Sequence, residues 1–323
     1  MTMKSGRRRF WGSLLFAGSL LVAAPVVAKQ VVVRVGGTGN YGPVLPVAAG
    51  LKLGLFKKAG VKVEFTNFAG GSASMEGLAA GAVDLINYFP PGLALAKRRG
   101  VGATIVSDGT LTPNGWDIMV AKNSKLTSEK QLVGKKIGIT SSGSTTDFFA
   151  LWTAKRAGGH VTRVPVGGSG LVPNLIKGNV DAIVAYPPLS YKLLLSHKGK
   201  ILVNLGKEMK PNLPDVWIAS DKIIKDHPKA LRAALVGLYS AIVYMQHHPK
   251  WSIQFIQHKT GLKHDVAEAE YKHTINNLSS DGMLKKKWVQ TSLDLGKLAG
   301  LKNLPPVESL FTTKFVPVKA ISP

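Results

Sequence analysis

Apolar and polar positions along the chain switch between two periods, and the switches mark its elements. Residues 31–35 are an apolar run broken only by Arg34, the pattern of a short strand. From 45 to 58 the apolar residues recur at helical spacing, and Ala59-Gly60 closes the run with a glycine suited to a helix C-cap. Residues 61–65 alternate as a strand, 73–80 read as a small-residue helix, and 83–88 as a buried strand. The order then repeats: helix 92–99, strands 103–106 and 116–121, helix 124–132, strand 136–140, helix 148–157, helix 171–177, strand 180–185 and strand 201–205. A proline-bounded link at 211–214 leads to strand 216–219. Beyond it the pattern is helical, at 228–246, 250–260, 264–277 and 285–299, with an irregular Pro-rich tail after Gly300. Asp226 is placed to cap the first of these helices, with Pro228 inside its first turn. Strands alternating with helices predict an α/β fold built on mostly parallel sheet.

One stretch occurs twice. Gly70 to Pro91 and Gly167 to Pro188 fit one template without a gap: Gly-Gly-Ser, eight residues, Gly-x-Val-Asp, four residues, an aromatic, Pro-Pro, at a constant offset of 97. Upstream, Lys57-Lys58-Ala59-Gly60 answers to Lys155-Arg156-Ala157-Gly158, one residue out of step. Two copies of one α/β unit predict two lobes of similar build. The expected division is 29–114 with 215–323 as the first lobe and 115–214 as the second.

Export changes how the charge is read. Lys4 and Arg7-Arg8-Arg9 precede an apolar run, Trp11 to Val27, and Val26-Val27-Ala28 fits a cleavage site, so residues 1–28 read as a signal peptide. A Sec leader fits, and Arg7-Arg8-Arg9-Phe10-Trp11 also meets a twin-arginine pattern. The whole chain carries 42 Lys and Arg against 18 Asp and Glu; four of the cations lie in the leader, leaving a mature formal charge of +20. Those charges are spread thinly and not interleaved with aromatics, which speaks against nucleic acid and for a general attraction to anions. The chain has no cysteine, which removes disulfides, thiolate metal sites and cysteine nucleophiles.

In parallel sheets ligands sit beyond the carboxyl ends of the strands. The polar loops of this chain fall there: Thr38 to Tyr41, Gly71-Ser72, Tyr88-Phe89, Asp108, Ser141 to Thr145, Gly168-Ser169 and Tyr186. Facing lobes would bring them to one cleft. Each Gly-Gly-Ser is expected to end in a Ser helix cap, at Ser72 and Ser169, turning free N–H groups and the positive end of a helix dipole toward an anion. Ser144 and Asp147 fit a capping box. Asp84 and Asp181 stand at strand starts, on the far edge, and read as structural. Gly37, Gly39 and Gly42 with Glu64 meet a dinucleotide fingerprint, but Pro43 and Pro46 break the required helix and the second lobe lacks the triplet. No cofactor, metal site or catalytic motif is expected; a two-lobed enzyme would have Asp108 as its one acid candidate.

Pro46 to Gly60, Gly70-Gly71-Ser72 with Gly81-Ala82-Val83-Asp84, Gly134-Lys135-Lys136-Ile137-Gly138 and Gly178-Asn179-Val180-Asp181-Ala182 resemble the periplasmic substrate-binding proteins of ABC importers, in the NMT1/THI5-like (SsuA/TauA-like) group. The resemblance covers about residues 30 to 310. It implies a type II periplasmic-binding fold: two α/β lobes joined by two crossovers, closing on a solute by a hinge. Ligand positions would fall on Asn40-Tyr41, Gly71-Ser72, Tyr88, Ser144-Thr145 and Tyr186. Its partners would be a membrane permease and its cytoplasmic ATPase, with the chain itself a monomer and nucleic acid no partner. The expected ligand is a small organic anion, sulfonate-like or an aromatic acid, with a neutral pyrimidine or flavin precursor as the alternative. Enzymatic pyrimidine-synthase members of the wider group carry a cysteine-rich motif, from which this chain departs.

Overall fold

The computed structural model describes residues 1–2 and 31–323; the leader expected at 1–28 otherwise lies outside the described residues. The chain opens with β1 (Val32–Gly37), α1 (Leu45–Lys52), α2 (Leu55–Lys58), β2 (Lys62–Asn67), α3 (Gly71–Ala79), β3 (Leu85–Tyr88), α4 (Pro90–Arg98) and β4 (Ala103–Thr110). It continues through β5 (Asp117–Ala121), β6 (Lys136–Ile139), α5 (Thr145–Ala157), β7 (Thr162–Pro165), α6 (Leu171–Ile176), β8 (Ala182–Ala185), α7 (Leu189–Leu195), β9 (Gly199–Asn204) and α8 (Leu205–Glu208). Then come β10 (Asp215–Ser220), α9 (Asp221–Asp226), α10 (Pro228–His247), α11 (Pro249–Thr260), α12 (His264–His273) and α13 (Lys286–Leu298).

Two five-stranded sheets result, in the orders β2-β1-β3-β10-β4 and β7-β6-β8-β5-β9. Each has a parallel core, β2-β1-β3 or β7-β6-β8. Each also holds one strand antiparallel to both neighbours, β10 in the first and β5 in the second. These are the strands the chain makes on crossing between sheets, after β4 and after α8. A mostly parallel sheet was expected, and the antiparallel strand is the difference. A chain arriving from the other lobe enters at the cleft end, so its first strand must run against its neighbours.

The longest helix shows how sequence sets packing. In α10 the buried Leu231, Ala234, Leu235, Leu238, Ala241, Ile242 and Met245 recur every three or four residues. That stripe packs on α1 and α2. Each fully buried leucine there is worth about 1.5–3 kcal/mol over an exposed one. The tail after Gly300 is irregular, yet it closes the outer edge of β4: Ile105 N–H donates to Leu310 O at 2.8 Å and Thr312 N–H to Ile105 O at 2.9 Å. An open sheet edge is thereby covered.

Several boundaries differ from the sequence reading. The single helix expected at 45–58 breaks at Gly54, which sits in the left-handed region at φ 68 and splits it into α1 and α2. The helix expected at 124–132 is only a 3-10 turn, Glu129–Leu132, held by a Ser128/Gln131 capping box. β4 runs four residues past the strand expected at 103–106. Asp226 does not cap α10; it ends α9 and pairs with Lys222 at 2.6 Å. β7, α7, α8 and α9 carry too few periodic residues to have been read.

Candidate functional site

The cleft is built from the carboxyl ends of β1, β3, β6 and β8 and the starting ends of β5 and β10. The first sheet supplies Thr38 and Tyr41 after β1, Gly70 and Gly71 at the start of α3, Asn87 and Tyr88 at the end of β3, and Pro214-Asp215 entering β10. The second supplies Trp116 before β5, Thr140 after β6, Ser144, Thr145 and Thr146 at the start of α5, and Tyr186 after β8. The enclosed space is about 40 Å³, room for a few water molecules. The lobes meet at its mouth. Ser72 Oγ lies 2.6 Å from Ser141 Oγ and donates to Ser142 O at 3.0 Å. Tyr88 Oη donates to Gly143 O.

The start of α3 is the barest polar surface here. Its N-cap, Gly70, offers no side-chain cap, so the first N–H groups of a nine-residue helix have only the cleft to face. Glycine is needed at 71 because the Tyr88 ring lies against it: a Cβ there would come within 2.4 Å of Tyr88 Cδ2. The start of α5 is dressed differently. Thr140, Ser144 and Thr146 close a hydroxyl triangle with edges of 2.9, 2.9 and 2.7 Å. Ser144 Oγ also accepts from Asp147 N–H at 3.2 Å, and Asp147 Oδ2 accepts from Gly143 N–H at 2.7 Å.

Aromatic rings line the hinge side. Tyr41 meets Trp116 and Tyr186 edge-on, at 5.7 and 5.5 Å between centroids. Tyr186 is 3% exposed and its hydroxyl has no hydrogen-bond partner among the described residues. Burial pushes that hydroxyl above its ordinary pKa, so it remains a donor. Tyr41 Oη donates to Asp215 Oδ2 at 2.9 Å, Thr110 Oγ1 donates to the same oxygen at 2.7 Å, and Asn87 Nδ2 donates to Oδ1 at 3.1 Å. Burial raises the Asp215 pKa, and the three donors lower it in part. No Lys, Arg or His lines the cavity among the described residues; Asp215 is its one acid.

Of the residues singled out from sequence, Thr38, Tyr41, Gly71, Tyr88, Ser144, Thr145 and Tyr186 come together around this space. Ser72 stands at the mouth and spends its hydroxyl on the opposite lobe. It is not the helix cap, because α3 begins one residue earlier, at Gly71. Asn40 is exposed and lines a separate outer cavity with Gly168, Ser169 and Lys259. The second Gly-Gly-Ser does not present a helix to the cleft. Gly170, not Ser169, is the N-cap of a six-residue α6. Asp108 is not brought to the cavity. Because β4 extends to Thr110, Asp108 lies inside a strand and not at its end; Tyr239 Oη of α10 donates to its carbonyl. Sequence reasoning missed Asn87, Trp116, Thr140, Thr146 and Asp215. A Pro-Asp pair opening an apolar run was the available signal for Asp215.

Asp84 and Asp181 stand where a structural role expects them. Asp84 Oδ2 accepts from Arg34 N–H at 2.9 Å, and Asp181 Oδ2 from Lys136 N–H at 2.8 Å.

Residues 43–252 match a family profile described as NMT1/THI5 like. A putative aliphatic sulfonates-binding protein of Bacillus subtilis is 26% identical over 236 residues, 71% of this chain and 70% of that protein. The alkanesulfonate-binding protein SsuA from Xanthomonas axonopodis pv. citri, solved bound to MOPS, superposes with a TM-score of 0.75 at 20% identity, over 90% of this chain and 98% of that one. The desulfurization enzyme DSZB also shares the fold, with a TM-score of 0.62 at 13% identity, over 88% of this chain and 97% of its own. No helix among the described residues is long and apolar enough to cross a membrane.

Proposed function

Because the chain belongs to the NMT1/THI5-like family, we propose that it is the periplasmic solute-binding component of an ABC importer. Its leader directs export and is cleaved. The lobes 29–114 with 215–323, and 115–214, close about the crossovers on a small organic anion, and a permease with its cytoplasmic ATPase receives it from the monomer. The observation that carries this reading is the Tyr186 hydroxyl, buried without a partner in a cavity floored by the uncapped start of α3. Both groups donate hydrogen bonds and neither has an acceptor among the described residues, which suits a sulfonate or carboxylate headgroup. The cavity also lacks any histidine, lysine or cysteine among the described residues to serve as base or nucleophile, which favours capture over turnover.

Asp215 narrows the ligand. A carboxylate in the same small space repels an anion placed beside it. The anionic end therefore belongs against α3, and the other end should carry an N–H or O–H donor. An aromatic or long-tailed acid needs the lobes farther apart than they stand here. The lack of any cationic side chain in the lining favours one second reading, a neutral pyrimidine-like heterocycle bonded by Asp215 and Asn87.

A thermal-shift and calorimetric screen of the mature chain decides between them. Ethanesulfonate, taurine, benzenesulfonate, benzoate and 4-aminopyrimidine form the first panel. A rise in melting temperature with a sulfonate or carboxylate supports the anion. A rise with the heterocycle alone transfers the site to the second reading, and silence across an extended panel removes the solute-capture proposal.

A further inference from the structure

The two crossover strands open on equivalent residues. Asp215 begins β10, paired in register with Thr110 at the end of β4; Asp117 begins β5, paired with Asn204 at the end of β9. Both acids are buried, 2% and 3% exposed. Asp215 accepts from three donors. Asp117 accepts from one, Asn204 Nδ2 at 2.9 Å, and pairs with no Lys or Arg among the described residues. A buried carboxylate short of donors is costly unless something else supplies them.

What lies in front of Asp117 is a second cavity of about 600 Å³, on the hinge side of the second sheet, with Ala269 and His273 of α12 forming the opposite wall. Its inner end is polar: besides Asp117 it has Ser190, 2% exposed, and Tyr191, whose hydroxyls have no hydrogen-bond partner among the described residues. Its rim is apolar. Leu194, Leu195 and Ile201 line it and are 41, 39 and 39% exposed, among the few large apolar side chains left open to water. Lys207 also lines it and is itself exposed.

We propose that this hinge-side cavity is a second binding site, for a small organic cation: a primary ammonium on a short apolar body. The ammonium supplies the donors that Asn204 alone does not, to a carboxylate already desolvated. The apolar body covers Leu194, Leu195 and Ile201, and the removal of that surface from water adds to binding. A neutral alcohol of the same shape gains the second contribution without the first; a carboxylate meets repulsion. The site is independent of the ligand assigned to the cleft.

The test uses phenethylammonium, with 2-phenylethanol and phenylacetate as neutral and anionic controls, titrated calorimetrically into the mature chain. The amine is expected to bind at least tenfold more tightly than the alcohol, and phenylacetate not at all. Asp117→Asn should remove that tenfold advantage. Burial lifts the Asp117 carboxyl to about 7. Amine affinity should therefore rise between pH 6 and 8 as the carboxyl loses its proton, while the ammonium keeps its own. Tyr191, His273 and Lys207 line the cavity and Glu270 acts on Tyr191 from behind it, so the pH profile is read as the difference between wild type and Asp117→Asn. Should that variant fail to fold, Ile201→Arg at the exposed rim places a fixed cation beside the site and should abolish amine binding. Tyr186→Ala alters the cleft and should leave amine affinity unchanged; a loss there would put the amine in the cleft. Equal amine binding by wild type and Asp117→Asn, or none by wild type, would overturn the second site.

Discussion

The two copies of the 22-residue repeat agree in one half and part in the other. Where each enters its strand, the copies are the same object. Asp84 N–H donates to Arg34 O at 2.7 Å and Asp181 N–H to Lys136 O at 2.9 Å, and each carboxylate takes the N–H of that same neighbour. The aspartate thus locks a central strand to the one beside it. At the loop end the copies diverge. The first Gly-Gly-Ser turns straight into nine-residue α3, whereas the second makes a turn, with Gly167 at φ 70, before the six-residue α6. The template aromatic also changes employment. Phe89 packs against Phe148 at 5.5 Å, while Tyr186 keeps a free hydroxyl in the cavity. In the first copy the tyrosine that lines the cavity stands one residue earlier, at Tyr88. The hydrogen-bonded strand start tolerates no drift, because register on both sides depends on it. The loop end is free to specialise.

Substitutions at matched positions separate these roles, the largest effect first. Gly71→Ala drives a methyl into the Tyr88 ring, whose nearest carbon would lie at 2.4 Å. It should cost about 1–3 kcal/mol of stability and lower ligand affinity more than a hundredfold. Its counterpart Gly168→Ala, at a buried glycine, meets the Tyr186 hydroxyl alone at 2.5 Å, against two ring carbons at Gly71, and should cost less, about 1 kcal/mol. Urea denaturation of the pair measures the contrast; equal losses would mean that the two loops are equivalent after all.

The strand starts differ in degree. Asp84 also accepts from Arg34 Nε at 2.9 Å and Nη2 at 2.7 Å, on a guanidinium that is 41% exposed. Asp84→Ala should lose about 2 kcal/mol, and Asp181→Ala, which forfeits one such bond, about 1 kcal/mol. Reversal of that order in chemical denaturation would remove the guanidinium from the account.

Each sheet holds a buried acid that responds to pH, Asp117 in β5 and Asp108 in β4, and Asp108 is lifted further. Asp108 pairs in register with Val216 of β10; the matching partner of Ile118 in β5 is the apolar Val203. Burial lifts the Asp108 carboxyl from its ordinary 3.8 to about 8. Between those values the folded chain holds a proton that the unfolded chain has released. Stability from this group is therefore greatest at low pH, falls as pH rises from about 4 to about 8, and levels off above, by at most about 1.4 kcal/mol per pH unit. Asp108→Asn should lessen the fall in melting temperature over that range, leaving the part due to Asp117 and Glu270, and an unchanged slope would clear Asp108 of the effect. The free hydroxyl should act on binding alone. Tyr186→Phe should leave the melting temperature in place and weaken the ligand found by screening by about tenfold, or 1.4 kcal/mol.

How much of this could be read from the chain follows the same division. The repeat, its strand-start aspartates and the Ser144 cap are local patterns, and they were legible. So were seven of the residues around the cavity, because glycine, serine and tyrosine at strand ends carry their own geometry. Asp215 was not, because its partners Tyr41 and Asn87 lie 174 and 128 residues away and no local period records them. Asp108 was misplaced for a simpler reason. A strand four residues longer than its apolar run suggests moves a side chain from the strand end into the sheet.

The pairing of β4 with β10 has a consequence for how the molecule can be taken apart. They are antiparallel neighbours, with Thr110 opposite Asp215. Everything from 111 to 214 therefore leaves and returns through two adjacent points, as an insert does in the tip of a hairpin. A tight turn joining those ends would restore an ordinary hairpin without redrawing any other strand of the first sheet. Cutting there would release the strands β5 to β9 as one block, and would uncover the faces of α12 and α13 that pack against α7 and α5.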